Sequence, residues 1–170
     1  MTWKEILEAR AETSPKRHRI EKELREFQVE AHPDAEELPV DIKRLLDSIH
    51  QHLFDPHLNV GSALRHCGLR NHNISTRFRS LLGLTVREYI EQFRLEAARR
   101  LLENQEIEVF LVTAAVGYVH PETFCRAFSR RFGCTPSEYR SRNRKTATTD
   151  RRVQVPSLPE RALKNSSSTE

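Results

Sequence analysis

Arginine is the residue type best placed to do chemistry in this sequence. Residues 71–82 contain Arg77 and Arg79 and no acid, and residues 120–132 contain Arg126, Arg130 and Arg131 against Glu122 alone. A guanidinium presents a rigid fork of donors that grips phosphate oxygens and pairs bidentately with a guanine edge. The acids gather elsewhere, with Glu103, Glu106 and Glu108 between the two arginine-bearing stretches. The net charge of +4 is modest, so the placement of the arginines carries more weight than their sum. The competing account is two ordinary solvated helix faces, and the surrounding pattern has to decide.

Other chemistries have less support. His50, His52 and His57 invite a metal, but residues two apart on a helix point to different faces. No carboxylate or cysteine completes a ligand set with them. Cys67, Cys125 and Cys134 are odd in number and lack C-x-x-C spacing, which fits a reducing cytoplasm and gives no disulfide framework. Cys67 reads as a small core filler, whereas Cys125 has three arginines nearby that would favour a reactive thiolate. No glycine-rich phosphate loop, metal pair or Ser-His-Asp arrangement stands out. The sequence therefore reads as a non-enzyme without metal or cofactor. No apolar run approaches the ~20 residues that cross a bilayer, and Met1–Arg10 has no apolar stretch that would make a secretory signal.

The elements that must position the arginines repeat. Phe78, Gly83, Thr85, Glu88 and Tyr89 recur as Phe128, Gly133, Thr135, Glu138 and Tyr139, each 50 residues later. Thr85-Val-Arg-Glu88 and Thr135-Pro-Ser-Glu138 are capping boxes. Gly83 and Gly133 suit the left-handed residue that closes the helix before each box. Those helices carry Ile74 and Phe78, or Phe124 and Phe128, four apart on a core face. A shorter apolar helix precedes each, about 58–67 and 108–116, ending at Gly68 or Gly117. A helix, a glycine turn and a second helix outline a helix-turn-helix.

Between the units, Thr85 to Glu103 has neither Gly nor Pro. Val86, Tyr89, Ile90, Phe93, Ala97 and Leu101 form one apolar stripe, and Leu95, Ala98 and Leu102 a second. A helix of that length spans roughly 28 Å, close to one turn of B-DNA at about 34 Å. The expected fold is all-α: two helix-turn-helix subdomains, about 41–84 and 104–142, joined by a linker helix over 85–103. Residues 1–40 read as a polar helical segment and linker, with Ser14-Pro15 opening a helix that carries Ile20, Leu24 and Phe27. Residues 143–170 lack any periodic apolar face and read as a disordered tail, although Arg142, Arg144, Lys145, Arg151 and Arg152 offer it loose phosphate contacts.

The second unit resembles the AraC/XylS family of bacterial regulators. The likeness rests on Ala114-Ala115-Val116-Gly117-Tyr118, on Phe124 through Gly133, and on Thr135-Pro136-Ser137-Glu138-Tyr139-Arg140. The linker stretch Arg94-Leu95-Glu96-Ala97-Ala98-Arg99-Arg100-Leu101-Leu102 also fits the family's pattern. The resemblance covers about residues 41–142 and implies seven helices, with one recognition helix per unit entering successive major grooves. It places the base-facing positions on His72, Ser75 and Thr76 in the first unit, and on Pro121, Glu122, Cys125 and Arg126 in the second. Arg126 is the strongest candidate reader, with Glu122 reading cytosine or orienting Arg126. Arg77, Arg79 and Arg130 are the candidate phosphate contacts.

The chain departs from the family's pattern at Asn71, the expected cap of the first recognition helix, and at Leu64 and Thr113, where small residues are usual. Forty polar residues before Asp41 cannot form the family's effector-binding barrel, so the likeness is to its small stand-alone members. What it implies is a cytoplasmic, nucleoid-associated regulator that binds double-stranded DNA near a promoter and meets RNA polymerase. Two units in one chain let a monomer bind. The alternative reading is a helical protein-interaction module that keeps the fold but has lost specific DNA binding.

Overall fold

The computed structural model describes residues 15–31, 37–69 and 73–145. Eight helices occupy these residues, and no strand is found among them. They are α1 (Pro15–Glu30), α2 (Val40–Gln51), α3 (Val60–His66), α4 (Ile74–Leu82), α5 (Val86–Leu102), α6 (Val109–Ala115), α7 (Pro121–Phe132) and α8 (Pro136–Lys145). Seven run from Val40 onward, as the resemblance implies, and α1 stands before them. No described helix is long and apolar enough to cross a membrane.

Local chemistry explains the boundaries. Thr85 caps α5 by accepting from the Glu88 N–H at 3.2 Å, while the Thr85 N–H donates to the Glu88 carboxylate at 2.8 Å. Thr135 and Glu138 repeat the arrangement at 3.2 and 2.7 Å. These bonds from backbone and hydroxyl hold both carboxyls below the ordinary glutamate value. Gly83 and Gly133 close α4 and α7 with left-handed φ of 72° and 69°. The short helices α3 and α6 are tighter than their apolar runs suggest. Asn59 forms a capping box with Ser62, so Leu58 falls outside α3.

The linker helix α5 is the spine. Both of its apolar stripes are buried, from Val86 and Tyr89 through Leu101 and Leu102. Its neighbours are α4, α6, α7, α8 and α1. The sequence repeat becomes a structural one at its two ends. Phe78 meets Tyr89 edge-on with ring centroids 5.6 Å apart, and Phe128 meets Tyr139 in the same way at 5.7 Å. The first cluster extends to Phe93 and to His50, whose Nε2 lies 2.8 Å from the Tyr89 hydroxyl. That burial pushes the Tyr89 hydroxyl well above its ordinary pKa.

The segment before α2, set apart in sequence by its polarity, shares this core. Ile20, Phe27, Ala31 and Leu38 are buried in one cluster with the residues of both units. On the polar side of α1, Glu23, Glu26 and Glu30 surround Arg100 of α5. Thr113 and Leu64, the larger residues at the helix crossings, are accommodated. Thr113 is buried with its hydroxyl donating to the Val109 carbonyl at 2.9 Å, and Leu64 packs partly buried against the core.

Candidate nucleic-acid interface

Each helix-turn-helix presents the outer face of its second helix. In the first unit, α4 buries Ile74, Phe78 and Leu82 and leaves Ser75, Thr76, Arg77 and Arg79 exposed. Burial at every fourth residue fixes which side chains remain outside. In the second, α7 buries Phe124, Ala127 and Phe128. Glu122, Arg126 and Arg130 are exposed, and Pro121 and Cys125 are half-buried at the margin of that face. His72 and Asn71 lie outside the described residues, as do the side chains of Arg144, Lys145, Arg151 and Arg152. The described N-cap of α4 is Asn73, without a side-chain cap bond.

The arginines that look equivalent in sequence differ in commitment. Arg77 pairs with Asp41 of α2, and Arg130 pairs with Glu91 of α5. Arg131 turns inward to Glu96 at 3.1 Å and lies over the Phe132 ring. Glu96 is only 6% exposed and also holds Arg99 at 2.9 Å, so Arg131 serves the packing of α7 against the linker helix. Arg126 has no ion-pair or hydrogen-bond partner among the described residues, and neither has Glu122. Glu122 therefore does not orient Arg126 in this structure.

The other candidate groups do not converge. His50 is buried against Tyr89 and Phe93, His52 stacks on His66 at 4.3 Å, and His57 is exposed in a turn. No group of three or more potential ligands that could hold a metal occurs among the described residues. Cys67 is half-buried with its thiol donating to the Ala63 carbonyl, and Cys134 is buried.

An arginine of a different kind is Arg94, buried in the middle of α5. Its Nε donates to the Leu53 carbonyl at 2.8 Å, Nη2 to that of Asp55 at 2.6 Å and Nη1 to that of Gly117 at 3.1 Å. Burial pulls its pKa below the ordinary value, with Tyr118 and Asp55 opposing. The available signal was position: Arg94 falls four residues after Ile90 and three before Ala97, inside an apolar stripe.

Residues 63–142 match the helix-turn-helix domain family. The regulatory protein SoxS of Salmonella typhimurium is 36% identical over 101 residues, covering 59% of this chain and 94% of that protein. The chain belongs to the AraC/XylS family. As an AraC/XylS regulator it is a sequence-specific DNA-binding transcription regulator. The arabinose operon regulatory protein of Escherichia coli is 30% identical over 105 residues, 61% of this chain and 36% of that protein. The AraC/XylS fold is also found in the C-terminal domain of AraT, a response regulator from Geobacillus stearothermophilus. There the TM-score is 0.60 at 23% identity, over 69% of this chain and 97% of that one. The DNA-binding domain of AdpA, solved with a target DNA, gives a TM-score of 0.58 at 24% identity over 65% and 98%.

Proposed function

We propose that α4 and α7 enter successive major grooves on one face of the duplex, with α7 supplying most of the base discrimination. The observation that carries this reading is Arg126. It is exposed, it lies on the recognition helix of the second unit, and no acid among the described residues pairs with it. Arginine to guanine is the commonest specific major-groove contact. Glu122, one turn earlier, suits a cytosine amine, while Pro121 and Cys125 flank it with apolar surface. In the first unit His72, Ser75 and Thr76 discriminate weakly, because hydroxyls accept and donate to several bases.

Arg77, Arg79 and Arg130 hold phosphates in this reading. The ion pairs of Arg77 with Asp41 and of Arg130 with Glu91 are solvent-accessible. Such pairs contribute only about 0–1 kcal/mol, so a phosphate competes for either arginine. Arg131 stays with its buried glutamate. The regulator then acts near a promoter, where its outer surface meets RNA polymerase.

Arg126→Ala is expected to cost about 1–3 kcal/mol of specific binding and to relax preference at one base pair. Arg130→Ala is expected to weaken all sequences alike and to reduce the slope of log affinity against log salt by about one. Binding titrations against duplexes with each single-base change separate the two. Undiminished discrimination in Arg126→Ala would remove α7 from the role of principal reader.

A further inference from the structure

We propose that Arg94 is the positioning residue that sets the angle and separation of the two recognition helices. The proposal rests on the reading that both units hold one DNA. The carbonyls of Leu53 and Asp55 belong to the turn between α2 and α3 of the first unit, and that of Gly117 to the turn between α6 and α7 of the second. One side chain from the linker helix therefore grips a turn of each unit at once. A guanidinium is planar and its donors form a fixed fork, so three carbonyls bound together cannot shift independently. An ammonium holds no such geometry.

Two further features build the hub. Gly117 has no side chain in the way: a Cβ there would lie 3.0 Å from Cζ of Arg94 and 2.9 Å from the Phe54 carbonyl oxygen. Phe54 is in turn braced by Phe27 of α1, with ring centroids 6.3 Å apart. Arg94 is 8% exposed, so few waters stand by to take over its bonds. In this proposal the folding of each unit rests on contacts other than those of Arg94. A capping box and a Phe–Tyr pair secure the helix that follows each helix-turn-helix. Loss of the guanidinium frees one unit to move against the other while both stay folded.

The test uses the full chain with Cys67, Cys125 and Cys134 replaced by serine, and spin labels at Ser80→Cys on α4 and Thr123→Cys on α7. Distances are measured without DNA, so they judge Arg94 even if titrations show that one unit alone suffices for binding. Arg94→Met keeps the stem and removes the donors; Arg94→Lys keeps the charge and removes the fork. Both are expected to retain the helical signal and a cooperative unfolding transition while broadening the inter-label distribution. With Arg94 replaced in the otherwise unaltered chain, affinity for the complete site is expected to fall about a hundred-fold, toward that of a single unit, as the fixed alignment of the second unit is lost. A distribution as narrow as that of the parent protein, in either folded variant, overturns the proposal. Should both variants fail to fold, proton exchange in the parent protein decides. Slow exchange of the Arg94 guanidinium protons supports the hub, and exchange as fast as at exposed Arg126 overturns it.

Discussion

Phe27→Ala is expected to destabilise the whole domain by about 3–5 kcal/mol, the range for truncating a buried phenylalanine. Phe27 lies in the polar first part of the chain, yet it is 1% exposed and packs with Ile20 and Ala31 into the common core. The same helix reaches both units. The Gln28 amide donates to the His50 carbonyl at 2.8 Å in the first. Arg19 and Lys16 pair with Glu106 and Glu108 in the loop that leads to the second. Those exposed ion pairs add little, so the apolar side of α1 is expected to dominate its contribution. Urea unfolding checks this, with Lys16→Ala as the control for the polar side. A Phe27→Ala midpoint close to that of the parent, or a larger loss in the control, would mean that α1 is not part of the core.

Gly117→Ala is the second large expected effect, and Gly133→Ala is its internal comparison. Both glycines have left-handed backbones, with φ of 83° and 69°. An alanine in that region costs about 1–2 kcal/mol at either position. At Gly133 a new Cβ meets nothing within 4 Å, so strain is the whole cost. At Gly117 it meets backbone oxygen and the Arg94 guanidinium, which adds an overpacking cost of about 1–3 kcal/mol. Unfolding midpoints should therefore order parent, Gly133→Ala, Gly117→Ala. Equal losses at the two glycines would show that the approach of Arg94 and the Phe54 carbonyl to Gly117 imposes no constraint.

Much of the architecture was legible because repetition and capping are local signals. The five residues repeated at 50-residue spacing became equivalent Phe–Tyr pairs, and both Thr–Glu boxes formed where they were expected. The ends of the short helices were less legible. Asn59 with Ser62 closes a box with a serine in place of the usual glutamate or glutamine, so the apolar run overstated the helix. Segment 15–31 reads as a polar helix and linker because most of its residues are charged. Its burial depends on a few positions one helical face apart, Ile20, Phe27 and Ala31, meeting a linker helix far along the chain.

The site divides in the same way. Arg77, Arg126, Arg130 and Arg131 look alike in sequence because the acids that claim three of them sit on other elements: Asp41 on α2, Glu91 and Glu96 on α5. Only the packing of α7 on the linker helix distinguishes Arg131, paired with buried Glu96, from Arg126, left without a partner among the described residues. Arg94 was hidden for the converse reason. Its acceptors are backbone carbonyls, which every sequence contains and no residue pattern marks.

If one rigid linker holds two DNA readers at a fixed separation, binding must depend on the spacing of the two half-sites. Full-length protein is titrated against a duplex selected from random sequences, and against the same duplex with ~5 or ~10 base pairs inserted between the half-sites. The shorter insertion turns the second groove to the far side of the DNA. The longer one restores the side but moves the groove away by about 34 Å, beyond the reach of a continuous α5. Binding to both inserted duplexes is predicted to drop to that of a single half-site. Full affinity on the ~10-base-pair insertion would contradict a linker that sets the spacing.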